Sequence, residues 1–140
     1  MVKIGLLRVL STEDEELLSS HGRLIEEFIP DPRLQTVNRC IEEHPRGVWN
    51  EEEEARAVPK ILRLGQAMAR EDGVDALIVS CASDPGVKGL RAELGIPVLG
   101  AGSAAASAAL AVGRPVGVLS ITDTVPQPVE ELLGERIVAL

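Results

Sequence analysis

The segment Ile78-Val79-Ser80-Cys81-Ala82-Ser83-Asp84-Pro85-Gly86 holds the densest set of reactive and oxygen-binding groups in this 140-residue chain. Residues 75–80 (DALIVS) read as a buried β-strand, so Cys81 falls where a strand gives way to a turn and then a helix. A cysteine at such a turn can lie near the positive end of the following helix, which stabilises the thiolate and lowers its pKa. Ser80, Ser83 and the neighbouring backbone N–H groups can receive a carboxylate or carbonyl oxygen. Position alone equally allows a buried, inert thiol. Both readings stay open at this point.

Other polar residues carry weaker signals. Cys40 closes an expected second strand in an Arg-Cys-Ile-Glu setting and is read as structural. His21 falls mid-helix and His44 in a loop before Pro45. Neither has metal-ligand spacing to the other or to a cysteine, so surface or capping roles are expected and no metal site. Gly100-Ala101-Gly102 precedes a helix but lacks the full dinucleotide pattern and a following Lys-Ser/Thr, so no phosphate-binding cofactor is expected. The small residues of 103–112 are read as permitting close packing. Residues 13–16 and 51–54 are acidic runs suited to the first turn of a helix. The second run lacks the glycine-shaped loop of a calcium site.

The elements that must position these groups follow from the apolar pattern. Val2 to Leu10 reads as a strand. Ser11, with Asp14 three positions on, opens a helix whose apolar face is Leu17, Leu18, Leu24, Ile25 and Phe28, and Pro30 and Pro32 end it. Leu34 to Ile41 is a second strand. A loop over 44–50 leads into a helix from Glu51 to Arg70, with Pro59 expected to kink its start, closed by Asp72-Gly73. After the 75–80 strand come a helix over 85–94, a strand over 96–99 and an alanine-rich helix over 103–112. A strand over 115–121, a helix over 126–133 and a strand over 136–140 complete the chain. Strict alternation of strand and helix predicts an α/β fold, a three-layer parallel sheet with helices on both faces. Ligands in such sheets bind beyond the carboxyl ends of strands, which nominates the loops 8–12, 80–86, 100–103 and 122–124.

Composition bounds the partners. The chain is 45% hydrophobic and 26% charged, and its core must be aliphatic, because Trp49 and Phe28 are its only aromatics. A formal net charge of −8 repels phosphate backbones, so nucleic acid is not an expected partner. Two cysteines make no disulfide framework, and no secretory signal is apparent. No apolar run reaches the roughly 20 residues of a membrane span. The expectation is a cytoplasmic protein with reduced thiols, away from the membrane.

The Cys81 segment resembles the cysteine loop, ending in Asp-Pro-Gly, of hydantoin racemases and their relatives in the aspartate/glutamate/hydantoin racemase superfamily. Three further segments resemble that family in the same order: Lys3 to Ser11 (KIGLLRVLS), Ile96 to Ala109 (IPVLGAGSAAASAA) and Val116 to Thr122 (VGVLSIT). The resemblance implies a flavodoxin-like lobe over 1–112 and the start of a second, incomplete lobe over 113–140. It implies a cofactor-independent racemase or epimerase acting at the α-carbon of an amino acid, hydantoin or related small carbonyl acid. Two cysteines face each other across the substrate in that family, and by position Cys81 is the first. The resemblance places Arg8, Ser80, Ala82, Ser83, Asp84, Ser103 and Thr122 around the substrate, with Arg8 suited to a substrate carboxylate. The family's second cysteine lies late in its second lobe, so one copy of this chain is expected to present one of two bases. A homo-oligomer is expected, both to restore the missing base and to cover apolar faces of the incomplete lobe. The alternatives are a catalytically silent ligand-binding or interaction module derived from the family, and a flavodoxin-like regulatory domain without thiol chemistry.

Overall fold

The computed structural model describes residues 1–140. Its chain alternates strand and helix: β1 (Val2–Arg8), α1 (Glu15–Phe28), β2 (Leu34–Cys40), α2 (Glu51–Ala67), β3 (Ala76–Ser80), α3 (Val87–Glu93), β4 (Val98–Gly100), α4 (Ala101–Val112), β5 (Val116–Gly117), α5 (Gln127–Leu133) and β6 (Ile137–Ala139). The first four strands form one all-parallel sheet in the order β2-β1-β3-β4. Winding reverses between β1 and β3. The carboxyl ends of these two strands, with Arg8 level with Ser80, therefore form the switch point at which such sheets bind ligands.

Side chains alternate across the sheet, and the two faces are covered differently. Leu7, Leu77 and Val79 turn toward α2 and α3 and join Ile61, Met68 and Leu90 in a fully buried aliphatic core. The opposite face carries Arg8 and Ser80, and α1 lies over it. Only Gly22 of α1 is buried, resting against Thr36 and Asn38 of β2, while Phe28 is 79% exposed. Thus the apolar stripe expected on α1 is largely solvent-facing, and polar contacts hold the helix.

Several local expectations need correction. Asp14, not Ser11, caps α1, accepting from the N–H groups of Glu16 and Leu17. Ser11 instead clasps two loops, donating to the Ile41 carbonyl and accepting from the His44 N–H. His44 is buried at 2% exposure rather than superficial, with Glu53 and Lys60 beside it. The second helix runs through Pro59 and ends in a π-helical turn over Met68–Asp72. The strand expected over 115–121 is only two residues long, and it pairs with β6 in a separate two-stranded parallel sheet. No helix is long and apolar enough to cross a membrane.

Candidate active site

Cys81 sits at the carboxyl edge of the sheet because Leu77 and Val79 anchor β3 in the core just before it. The turn behind it is tight: the Asp84 N–H donates to the Cys81 carbonyl at 3.2 Å, and the Val87 N–H donates to the Asp84 carbonyl at 3.2 Å. Asp84 adopts φ of +51°, a left-handed conformation uncommon for a residue with a side chain. Its carboxylate offsets that strain by accepting from the Gly102 N–H at 2.7 Å and the Ser103 N–H at 2.9 Å. These are first-turn donors of α4, otherwise without intrahelical partners. Asp84 therefore locks the cysteine loop onto the next helix.

That lock explains two glycines. A methyl group on Gly100 would collide with the Asp84 carboxylate, and one on Gly102 would collide with the Ala82 carbonyl. The Gly-Ala-Gly stretch thus serves close approach of the chain to itself. The anion position at the α4 terminus is filled by the protein's own carboxylate.

On its open side Cys81 faces a cleft of about 1200 Å³. Ser80, Cys81, Ala82, Ser83 and Thr122 all line it, as does His21. The Cys81 Sγ lies 3.5 Å from the Ser83 Oγ. Trp49, Asn50, Glu51 and Glu54, around the start of α2, line the same cleft, as do small residues of α4. Most of residues 116–130 line it as well, and there Thr122 is tied to Ser120 and Thr124. No arginine or lysine lines the cleft.

Three residues expected around a substrate lie elsewhere. Arg8 is buried at 5% exposure and donates to the carbonyls of Leu17 and Leu18 and to the Ser20 Oγ, so its guanidinium docks α1 instead of facing the cleft. Burial lowers its pKa, with Cys40 acting in the opposite sense. Asp84 and Ser103 are engaged with each other, and neither lines the cleft. Cys40 directs its Sγ at the Thr12 carbonyl, 3.6 Å away, outside the cleft.

His21 is the group that sequence reasoning missed. Its Nδ1 lies 2.6 Å from the Ser80 Oγ, which places an imidazole beside the residue preceding Cys81. Burial first, and the Arg8 charge second, push its pKa below the ordinary 6.5. No periodicity announces this, since the two residues are 59 positions apart.

The family model for Asp/Glu/Hydantoin racemase matches residues 11–138. The chain belongs to the Asp/Glu/Hydantoin racemase family. Two solved structures share its fold. An allantoin racemase from Klebsiella pneumoniae superposes with a TM-score of 0.72 at 20% identity, over 97% of this chain and 54% of that one. An allantoin racemase from Pseudomonas fluorescens gives 0.75 at 23% identity, over 94% of this chain and 54% of that one. The chain spans about half the length of these racemase-fold relatives. Among curated protein sequences none matches it significantly. The racemase assignment agrees with the α/β architecture and the parallel sheet described above.

Proposed function

We propose that Cys81 is the proton-transferring thiol of a cofactor-independent racemase or epimerase site whose substrate is an uncharged cyclic ureide of the hydantoin type. The observation that carries this reading is the seating of Cys81 at the β1/β3 switch point, open to the cleft and flanked by Ser80 and Ser83. In the step proposed, the Cys81 thiolate takes the proton from the ring carbon beside the carbonyl. The C–H electron pair moves into the ring and onto the carbonyl oxygen, and hydroxyl and backbone N–H donors stabilise the resulting enolate. Return of a proton to the same face from Cys81 gives exchange with retention. Delivery to the opposite face by a second acid gives inversion.

The cleft's charge supports the choice among the family's substrate types. Glu51, Glu54 and Glu130 line it and no cation does. A dicarboxylate would meet repulsion there without a pairing partner, whereas a neutral ring that carries N–H groups would not. Two racemases of like fold are allantoin racemases, and allantoin is such a ring.

The test is α-proton exchange of a 5-substituted hydantoin in deuterated water, followed by mass spectrometry and by polarimetry. Cys81→Ala is expected to lower enzyme-dependent exchange by about 10²–10⁴-fold. Equal exchange with and without the thiol, across hydantoins and free amino acids, overturns the reading.

A catalytically silent, ligand-binding module is the second reading. It is favoured by the single thiol in the cleft of one chain, Cys40 being turned away. It predicts saturable hydantoin binding with no exchange. Homo-oligomerisation belongs to the first reading, because a second copy can cover the exposed Leu119, Ile121 and Val138. Sedimentation as a monodisperse monomer would exclude it.

A further inference from the structure

The Ser80 hydroxyl has one hydrogen-bond partner in the protein, His21, and the two side chains line the cleft beside Cys81. A separation of 2.6 Å is short for an N–H donating to oxygen and suits a hydroxyl donating to a ring nitrogen. We infer that Ser80 gives its hydrogen to Nδ1 of neutral His21, so that the Ser80 oxygen enters the cleft as a hydrogen-bond acceptor and reads an N–H group of the ligand. The inference rests on the hydantoin reading above and deepens it. The ring N–H beside the reacting carbon is assigned to Ser80, since Ser80 and Cys81 line the cleft side by side. Ser83, whose Oγ lies 3.5 Å from the Cys81 sulfur, also lines the cleft, and its one hydrogen can go to the sulfur or to a ligand oxygen.

The surroundings favour this polarity. A neutral imidazole carries its single hydrogen on one nitrogen, and the Nε2 of His21 has no protein partner, so that hydrogen can stay on the solvent side. Arg8, packed against α1 from β1, opposes a second positive charge on the ring. The other ionisable groups of the cleft are Cys81 on β3, Glu51 and Glu54 on α2, and Glu130 on α5.

Protonation of His21 reverses the arrangement. Both ring nitrogens then donate, Ser80 accepts from Nδ1 with one of its two lone pairs, and its own hydrogen, released from the ring, competes with the ligand N–H for the cleft side of the oxygen. A ligand with an N–H at that position is thus held more tightly in neutral solution than in acid. His21 is a positioning residue here, and Ser80 makes the contact.

Two measurements on the whole chain test the inference. Nitrogen chemical shifts of His21 at pH 8 report its tautomer directly, without any reliance on turnover. The expected result is an unprotonated Nδ1. A hydrogen on Nδ1 overturns the inference even where hydantoin turnover is intact. Calorimetric binding of 5-methylhydantoin and 1,5-dimethylhydantoin is then compared at pH 8 and pH 5. The parent ring is expected to bind several-fold more weakly at pH 5 than at pH 8, as His21 takes up its proton. The N1-methylated ring is expected to bind weakly at both pH values, as is the parent ring to Ser80→Ala. His21→Asn, which keeps a polar atom near the Nδ1 position but does not titrate, is expected to lose the pH dependence. Equal affinity of wild type and Ser80→Ala, or no binding of either ring, overturns the inference. Binding in this pattern with no α-proton exchange leaves it standing and removes the catalytic reading instead.

Discussion

The two ends of this chain obey different rules. Residues 1–112 build a four-stranded sheet whose α2-side core buries Leu7, Ile61, Met68, Leu77, Val79 and Leu90 completely. Residues 113–140 hold a two-stranded sheet, one short helix and a single buried hydrophobic side chain, Leu133. There Ile121 is 90% exposed, although its sequence setting is as apolar as that of β3. Cys81 belongs to the first region, and many of the residues that line the cleft with it belong to the second. An apolar run becomes a rigid strand only where neighbours on both sides satisfy its backbone and its side chains. Residues 76–80 lie between β1 and β4, whereas 116–117 pair only with β6.

The contrast can be broken most directly by truncating one side chain from each region. Leu77→Ala is expected to cost about 2–5 kcal/mol of folding stability, since it empties a fully buried site. Ile121→Ala is expected to change stability by less than about 0.5 kcal/mol. Urea titration of both variants measures the difference, and similar losses would erase the distinction between the two regions.

The link between them can be sharpened next. Gly102→Val drives a side chain against the Ala82 carbonyl and is expected to cost about 1–3 kcal/mol or more. It should also alter the rate at which Cys81 is alkylated by iodoacetamide, because the displaced backbone adjoins the thiol. Asp84→Ala removes the acceptor for two α4 N–H groups and leaves a left-handed residue without compensation. A loss of about 1–2 kcal/mol is expected from the missing cap, read as a lower melting temperature. An unchanged melting temperature would mean that the lock between loop and helix is not stabilising.

The smallest effect concerns pH. His21 titrates below 6.5 in the folded protein, so the unfolded chain binds its proton first as pH falls. The contribution to stability is complete above pH 6.5 and declines as pH drops from there toward the folded value. In His21→Asn that part of the slope should vanish. Denaturant titrations between pH 5 and pH 8 check it, and identical slopes in both proteins would show that His21 is not held neutral by its surroundings.

The sequence by itself determined the order of elements, the parallel α/β class and the seating of Cys81 just past β3. These rest on periodicity and on turn residues, which act over a few positions and so are legible locally. The pairing of Asp84 with α4, 18 positions away, was not legible. Nor was the contact of His21 with Ser80, or the diversion of Arg8 into holding α1. Each joins residues that meet only after the sheet has closed, and a carboxylate or guanidinium at a sheet edge looks the same in sequence whether it awaits a ligand or a backbone. What the tertiary structure decided was which polar groups remain free for a ligand once the chain's own donors and acceptors have been satisfied.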